Sequence, residues 1–140
     1  MIQKEILAQK ELESININYI YNFFKSDIGI KLLKSKKIYR ELPFNLALKA
    51  KDISPEKWQD SEEEILVQGI IDLTFETNEN EMILVDYKTS HYNTEEKKAL
   101  LIKDYKTQLE YYKKAISELM KKKVTHSYIY FLSKDEIIEV

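Results

Sequence analysis

The most apolar stretch of the chain, LVQGIIDLTF (Leu66–Phe75), is followed by a polar TNEN segment and then by a second apolar run, MILVDY (Met82–Tyr87). Two such runs, rich in β-branched residues and parted by so short a break, can hide their side chains together only as adjacent antiparallel strands. The spacing predicts strands over about 64–76 and 81–88. With Asn78, Glu79 and Asn80 as the loop, Thr77 faces Glu81 and, counting outward, Asp72 faces Asp86. Side chains alternate along a strand, so Asp86 and Lys88 share one face while Ile83, Val85 and Tyr87 pack on the other.

Like charges directly opposite each other across a ladder are destabilising. Two buried carboxylates can share a proton, pair with a protein cation, or hold a divalent metal. Lys88 is available as the cation, so an Asp-Lys-Asp ion cluster without any ligand accounts for the same three residues. Such a cluster contributes little net stability, because desolvating the charges offsets their attraction.

The rest of the chain supplies one mixed α/β domain around this hairpin. Apolar residues at helical spacing predict helices near 2–13, 16–25 and 27–34. IYRELPFNLALKA alternates, with Leu42, Phe44, Leu46 and Leu48 on one face of a strand, and Pro43 marks an edge or a bulge in it. KDISPEKWQDSEE (51–63) reads as a loop. A long helix spans about 94–122, followed by a closing hairpin, THSYIYFLS then EIIEV. Along that helix Leu101, Tyr105, Gln108, Tyr112, Ala115 and Leu119 fall on one face, apolar except at Gln108. A Gln tolerated in an ordinary core helix explains this as well as a functional amide does.

The composition narrows the chemistry. The chain has no cysteine and only two histidines, which removes thiolate metal sites and cysteine nucleophiles, so any metal is held by oxygen. Residues 41–80 hold ten Asp/Glu against three Lys, and residues 88–123 hold ten Lys against five Asp/Glu. Such opposed charge suits a metal beside a phosphate chain, and it equally describes two solvated faces. No apolar run approaches the roughly 18 residues of a membrane span, so the expectation is a soluble, cytoplasmic protein with no membrane partner.

GIID (Gly69–Asp72), VDYKT (Val85–Thr89) and QLEYY (Gln108–Tyr112) resemble, in this order, the G-x-x-D, D-x-K and Q-x-x-x-Y signatures of the RecB-like PD-(D/E)xK nucleases. YRELPF (Tyr39–Phe44), the acidic loop and YIYFLS extend the resemblance, over about residues 16–140, to the C-terminal nuclease domains of AddA-type helicase–nucleases. The resemblance implies a restriction-endonuclease-like core, a mixed central sheet flanked by helices, with residues 1–35 as an N-terminal helical segment and 36–140 as the nuclease core. It implies Asp72, Asp86 and the Tyr87 carbonyl as ligands of Mg2+ or Mn2+ and Lys88 as the group that orients or activates water. Gln108 and Tyr112 are implied to brace the site or touch DNA, with Glu41 as an additional acid. The implied reaction is exonucleolytic DNA hydrolysis in double-strand-break repair and recombination, on a single strand delivered by a helicase. The implied partner is of the AddB/RexB type.

The sequence departs from that family in one respect: no G-T-x-x-H-like segment precedes the first strand. His91 and His126 lie elsewhere and are expected to be a solvated residue and a surface or core residue. There is also no G-x-x-x-x-G-K-[ST] loop, so ATP would be bound only by motor domains outside this sequence. The reading is a nuclease domain from a larger chain, weak or inactive when isolated. The alternatives are a nuclease-fold DNA-binding module that does not cut and a free-standing restriction-type or phage exonuclease.

Overall fold

In the computed structural model, which describes residues 17–140, the two apolar runs form the centre of a five-stranded sheet. In chain order the elements are α1 (Ile17–Lys25), α2 (Asp27–Leu33), β1 (Lys37–Lys49), α3 (Ala50–Ile53), α4 (Pro55–Trp58), β2 (Glu64–Glu76), β3 (Met82–Lys88), α5 (Glu95–Met120), β4 (Val124–Phe131) and β5 (Glu136–Glu139). The sheet order is β1-β2-β3-β4-β5. All neighbours are antiparallel except β3 and β4, which run parallel because α5 carries the chain back between them. The helix expected near 2–13 lies outside the described residues, and the stretch read as a loop over 51–63 holds part of α3 and the whole of α4.

The turn between β2 and β3 has the expected loop. Thr77 N–H donates to Glu81 O at 2.9 Å and Asn80 N–H donates to Thr77 O at 3.0 Å. Asn80 has φ 63°, a left-handed conformation that Asn adopts more readily than most residues. The register that follows pairs Glu76 with Met82, Phe75 with Ile83 and Leu73 with Val85, which puts Asp72 opposite Asp86 at the next step.

One face of the sheet packs against α5 through Phe44, Leu46, Leu48, Ile71, Leu84, Leu109, Ala115 and Ile116. The other packs against α1 and α2 through Leu73, Phe75, Ile83, Val85, Phe23, Ile28 and Leu32. Ile71 and Leu73 therefore lie on opposite faces, although residues two apart in a regular strand share one. β2 turns over at this point. β1 does the same at the same level, where Glu41, between the Arg40–Leu73 and Leu42–Ile71 pairs, has φ 48°.

On the second face, α1 and α2 cross so closely that a Cβ at Gly29 would lie 2.0 Å from Phe23 O, so only glycine fits there. Ser26 caps α2 by accepting the Gly29 N–H at 3.1 Å. Thr94 caps α5 by accepting Lys97 N–H, with Glu95 and Glu96 in the first turn where the helix dipole favours anions. The buried positions of α5 are Leu109, Tyr112, Ala115 and Ile116, whereas Leu119, expected on the buried stripe, is 54% exposed. Among the described residues no helix is long and apolar enough to cross a membrane.

Candidate active site

β3 delivers Asp86 and Lys88 to the α5 face, and Tyr87 between them to the other. Asp86 is 2% exposed, and the Lys88 ammonium lies 2.8 Å from its Oδ2. That contact is not aligned as a hydrogen bond, so Oδ2 is a buried oxygen with no hydrogen-bond partner among the described residues. Burial raises the Asp86 carboxyl to about 6; Lys88 opposes that rise and the neighbouring Asp72 carboxylate adds to it.

Asp72 also explains why the site is open. The β2–β3 ladder ends at Leu73–Val85, and the next backbone donor of β3, Tyr87 N–H, goes instead to Asp72 Oδ2 at 3.0 Å. A side chain replaces a rung of the ladder. The N-terminal half of β2 continues with β1 as far as Lys49–Glu64, leaving a fork between β2 and β3 with both acids at its root.

The long helix closes over this fork. Lys88 Nζ donates to Gln108 Oε1 at 2.7 Å, and Gln108 Nε2 donates to the Tyr112 hydroxyl at 2.8 Å. The amide thus faces an ammonium with its oxygen and a hydroxyl with its NH2, which fixes its orientation. Burial, with Asp86 and Asp72 nearby, pushes the Tyr112 phenol up to about 12, so it stays protonated at neutral pH. Tyr105, one turn before Gln108, lies under Lys88 with its ring centroid 4.4 Å from Nζ. Tyr105 stands outside the expected site residues; its position on the stripe of Gln108 and Tyr112 is the signal in the sequence.

Gly69 has its reason here. A Cβ at this position would meet Phe44 Cε1 at 2.8 Å and Cζ at 2.9 Å. The Phe44 ring crosses β2 at the glycine and meets Tyr112 edge-on, with centroids 5.4 Å apart. The G-x-x-D glycine therefore serves packing beneath the Gln108–Tyr112 pair.

The remaining candidates separate. Glu41 is exposed and shares a hollow of about 400 Å3 with Arg40, Asp72 and Tyr87. No group of three or more His, Cys, Asp or Glu that could hold a metal occurs among the described residues, so Glu41 does not form a three-acid cluster with Asp72 and Asp86. His91 is exposed, and His126, on β4 opposite Ile83, has Nδ1 2.7 Å from Glu139 Oε1 and pairs with neither Asp72 nor Asp86. Of the acid-rich segment 41–80, Glu62 pairs with Lys49 and Lys51 at the surface, and buried Glu76 pairs with Lys122.

The donors fit a hard divalent cation: two adjacent carboxylates, one with a buried oxygen lacking a hydrogen bond, beside the peptide of Tyr87. A model of the PD-(D/E)XK nuclease superfamily matches residues 21–139. The chain belongs to this superfamily. It has the nuclease fold, and over 142 residues it is 41% identical to the A subunit of the ATP-dependent helicase/nuclease of Ruminiclostridium cellulolyticum and 39% identical to that of Clostridium novyi. The protein of the same name from a Thermoanaerobacter species is 39% identical over 141 residues. These alignments take in 99–100% of this chain and 11% of each relative, so the chain spans about a ninth of their length.

Proposed function

We propose that this nuclease domain hydrolyses DNA phosphodiester bonds with Mg2+ or Mn2+, as part of an ATP-dependent helicase/exonuclease acting in double-strand-break repair and recombination. The observation that carries the reading is the buried, hydrogen-bond-free Asp86 Oδ2 beside Asp72, with Lys88 held over it by Gln108.

Asp72, Asp86 and the Tyr87 carbonyl would hold the metal, with Glu41 as an outer acid. When bound, a divalent cation supplies Lewis-acid polarisation of the phosphate and acidifies water. Lys88 is oriented by three neighbours: Asp86, the Gln108 amide oxygen and the Tyr105 ring. Its ammonium is a fixed positive charge where negative charge develops on the phosphorus oxygens, and it orients the attacking water. Tyr112 holds Gln108, and Gln108 holds Lys88, so helix and strand act as one positioning unit.

The substrate is a single strand, with the 3′-terminated strand implied by the AddA-type resemblance. The partner is of the AddB/RexB type, in a cytoplasmic complex, with ATP consumed by motor domains elsewhere in the longer protein. The names of the relatives and the small share of their length that this chain covers support that placement. Among the described residues no third acid joins Asp72 and Asp86, and this favours a second reading, a DNA-binding module that does not cut. Asp86→Ala in the helicase–nuclease complex separates the two: unwinding retained with cutting lost supports the nuclease, and unchanged cutting overturns it. Mn2+ titration of the wild-type chain against Asp72→Ala reads the metal site directly, with weaker binding expected in the variant.

A further inference from the structure

The face of β3 opposite Lys88 carries side chains for which hydrolysis itself has no use. Tyr87 points there, edge-on to Phe23 and Tyr130 at centroid distances of 6.1 Å and 6.4 Å. It nonetheless remains 36% exposed, and Phe24 across from it is 40% exposed. Together with Ile20 and Leu132 these rings line an apolar cleft of about 240 Å3. On its other side Tyr87 lines the hollow that holds Asp72 and Arg40, so one ring borders both the aromatic cleft and the catalytic acid.

Arg40 is the only arginine in the sequence. It is exposed, and its side chain makes no ion pair or hydrogen bond among the described residues, even with Asp72 and Glu41 lining the same hollow. An unpaired guanidinium offers a planar fork that fits two oxygens of a phosphate. Aromatic faces next to such a cation are the usual platform for bases of single-stranded nucleic acid.

We propose that Arg40 and the Tyr87–Phe24 cleft form a nucleotide subsite for single-stranded DNA, with a phosphate on Arg40 and the adjoining base stacked against Tyr87. The inference rests on the nuclease reading and adds to it the place where the strand is gripped and the reason a duplex is refused. A paired base cannot leave its stack to enter the cleft without breaking its pair, whereas a single strand presents the base already free. Asp72 and Glu41 repel an anion in this hollow, so a divalent cation at the acids strengthens the grip.

The test measures binding, with Ca2+ replacing Mg2+, of a dye-labelled oligothymidylate, the same strand made abasic, and a duplex of equal length. Arg40→Gln is expected to weaken single-strand binding about tenfold and to reduce the slope of log K against log salt by about 0.7, one phosphate contact. Arg40→Lys restores the slope and only part of the affinity. Phe24→Leu weakens the base-bearing strand and leaves the abasic strand unchanged, and Tyr87→Leu weakens the base-bearing strand more than the abasic one. Phe24 lies off the acid-bearing strands, which guards against a Tyr87 variant that disturbs Asp72. Wild-type binding retained by Arg40→Gln, or equal losses on base-bearing and abasic strands, overturns the subsite. Calorimetric Mn2+ binding to the same proteins separates the two levels. Metal bound normally with no effect of the Arg40 or cleft variants on DNA sinks the subsite alone; no metal and no DNA bound by wild type sinks the nuclease reading with it.

Discussion

Asp72 grips the backbone of the strand that carries Asp86: its Oδ2 accepts the Tyr87 N–H at 3.0 Å, one residue beyond the second acid. One carboxylate thus ends a ladder and faces the other acid. The two duties can be separated by substitution. Asp72→Asn keeps an oxygen for Tyr87 N–H and should keep the fold, while metal binding and cutting fall sharply. Asp72→Ala should lose activity equally and also about 1 kcal/mol of stability, the ordinary value of a lost hydrogen bond. Denaturant melts beside a cleavage assay check both; equal stability of the two variants contradicts the structural role.

Asp86 sets a pH dependence. Its folded carboxyl titrates at about 6 rather than 3.8, chiefly because it is buried. Between about pH 4 and 6 the folded chain therefore binds more protons than the unfolded one, so metal-free stability falls as pH rises through that window and is flat above it. The full drop is about 3 kcal/mol for a shift of this size. Melts in EDTA from pH 4 to 8 should show the slope, and Asp86→Asn should remove it. Mn2+ affinity should run the other way, tightening as pH passes 6, because the carboxyl must be ionised to bind.

Gly69→Ala adds one methyl where Phe44 already lies 2.8 Å away. The ring must move, and it rests on Tyr112. A cost of about 1–3 kcal/mol is expected for this overpacking, with a fall in kcat. Phe44→Leu in the same chain, which gives the methyl room, should recover part of both. Absence of any rescue would show that the glycine acts in some other way.

Tyr112→Phe removes the acceptor of Gln108 Nε2 and leaves the ring that packs on Phe44. Lys88 then loses the fixed orientation of its amide partner. A roughly tenfold lower kcat at unchanged KM is expected, the pattern of an interaction that matters in the transition state. A raised KM at constant kcat would instead mark Tyr112 as a DNA contact.

Glu41 holds a left-handed backbone angle that glycine adopts without strain. Glu41→Gly should therefore keep or slightly raise stability, by up to about 1 kcal/mol, while deleting the carboxylate. Unchanged Mn2+ affinity in this variant would exclude Glu41 from the metal shell; weaker binding would include it.

The hairpin register is legible in the sequence because a three-residue loop between two long apolar runs leaves few ways to pair, and Asn80 has the conformation such a loop needs. The pairing of Lys88 with Gln108 follows from parity on a strand and periodicity on a helix. Other features depend on tertiary contacts that no periodicity encodes. Leu109 and Ile116, one place along from Gln108 and Ala115, are buried, while Leu119 near the end of α5 is exposed. Four-residue helices such as α3 and α4 are too short to show a period. Arg40 carries no local mark, since Asp72 and Tyr87 beside it come from distant parts of the chain.

The reversal of facing in β2 has a consequence for the motif itself. In an unbroken strand, positions three apart look to opposite sides, and a glycine and an acid at 69 and 72 could not serve one pocket. Here the kink restores them to the same side, Gly69 beneath the Phe44 ring and Asp72 beside Asp86. The odd interval in G-x-x-D is thus a written record of a bend: Gly69 and Ile71 still look toward α5, and the strand rolls at Asp72 itself before Leu73 joins the opposite surface.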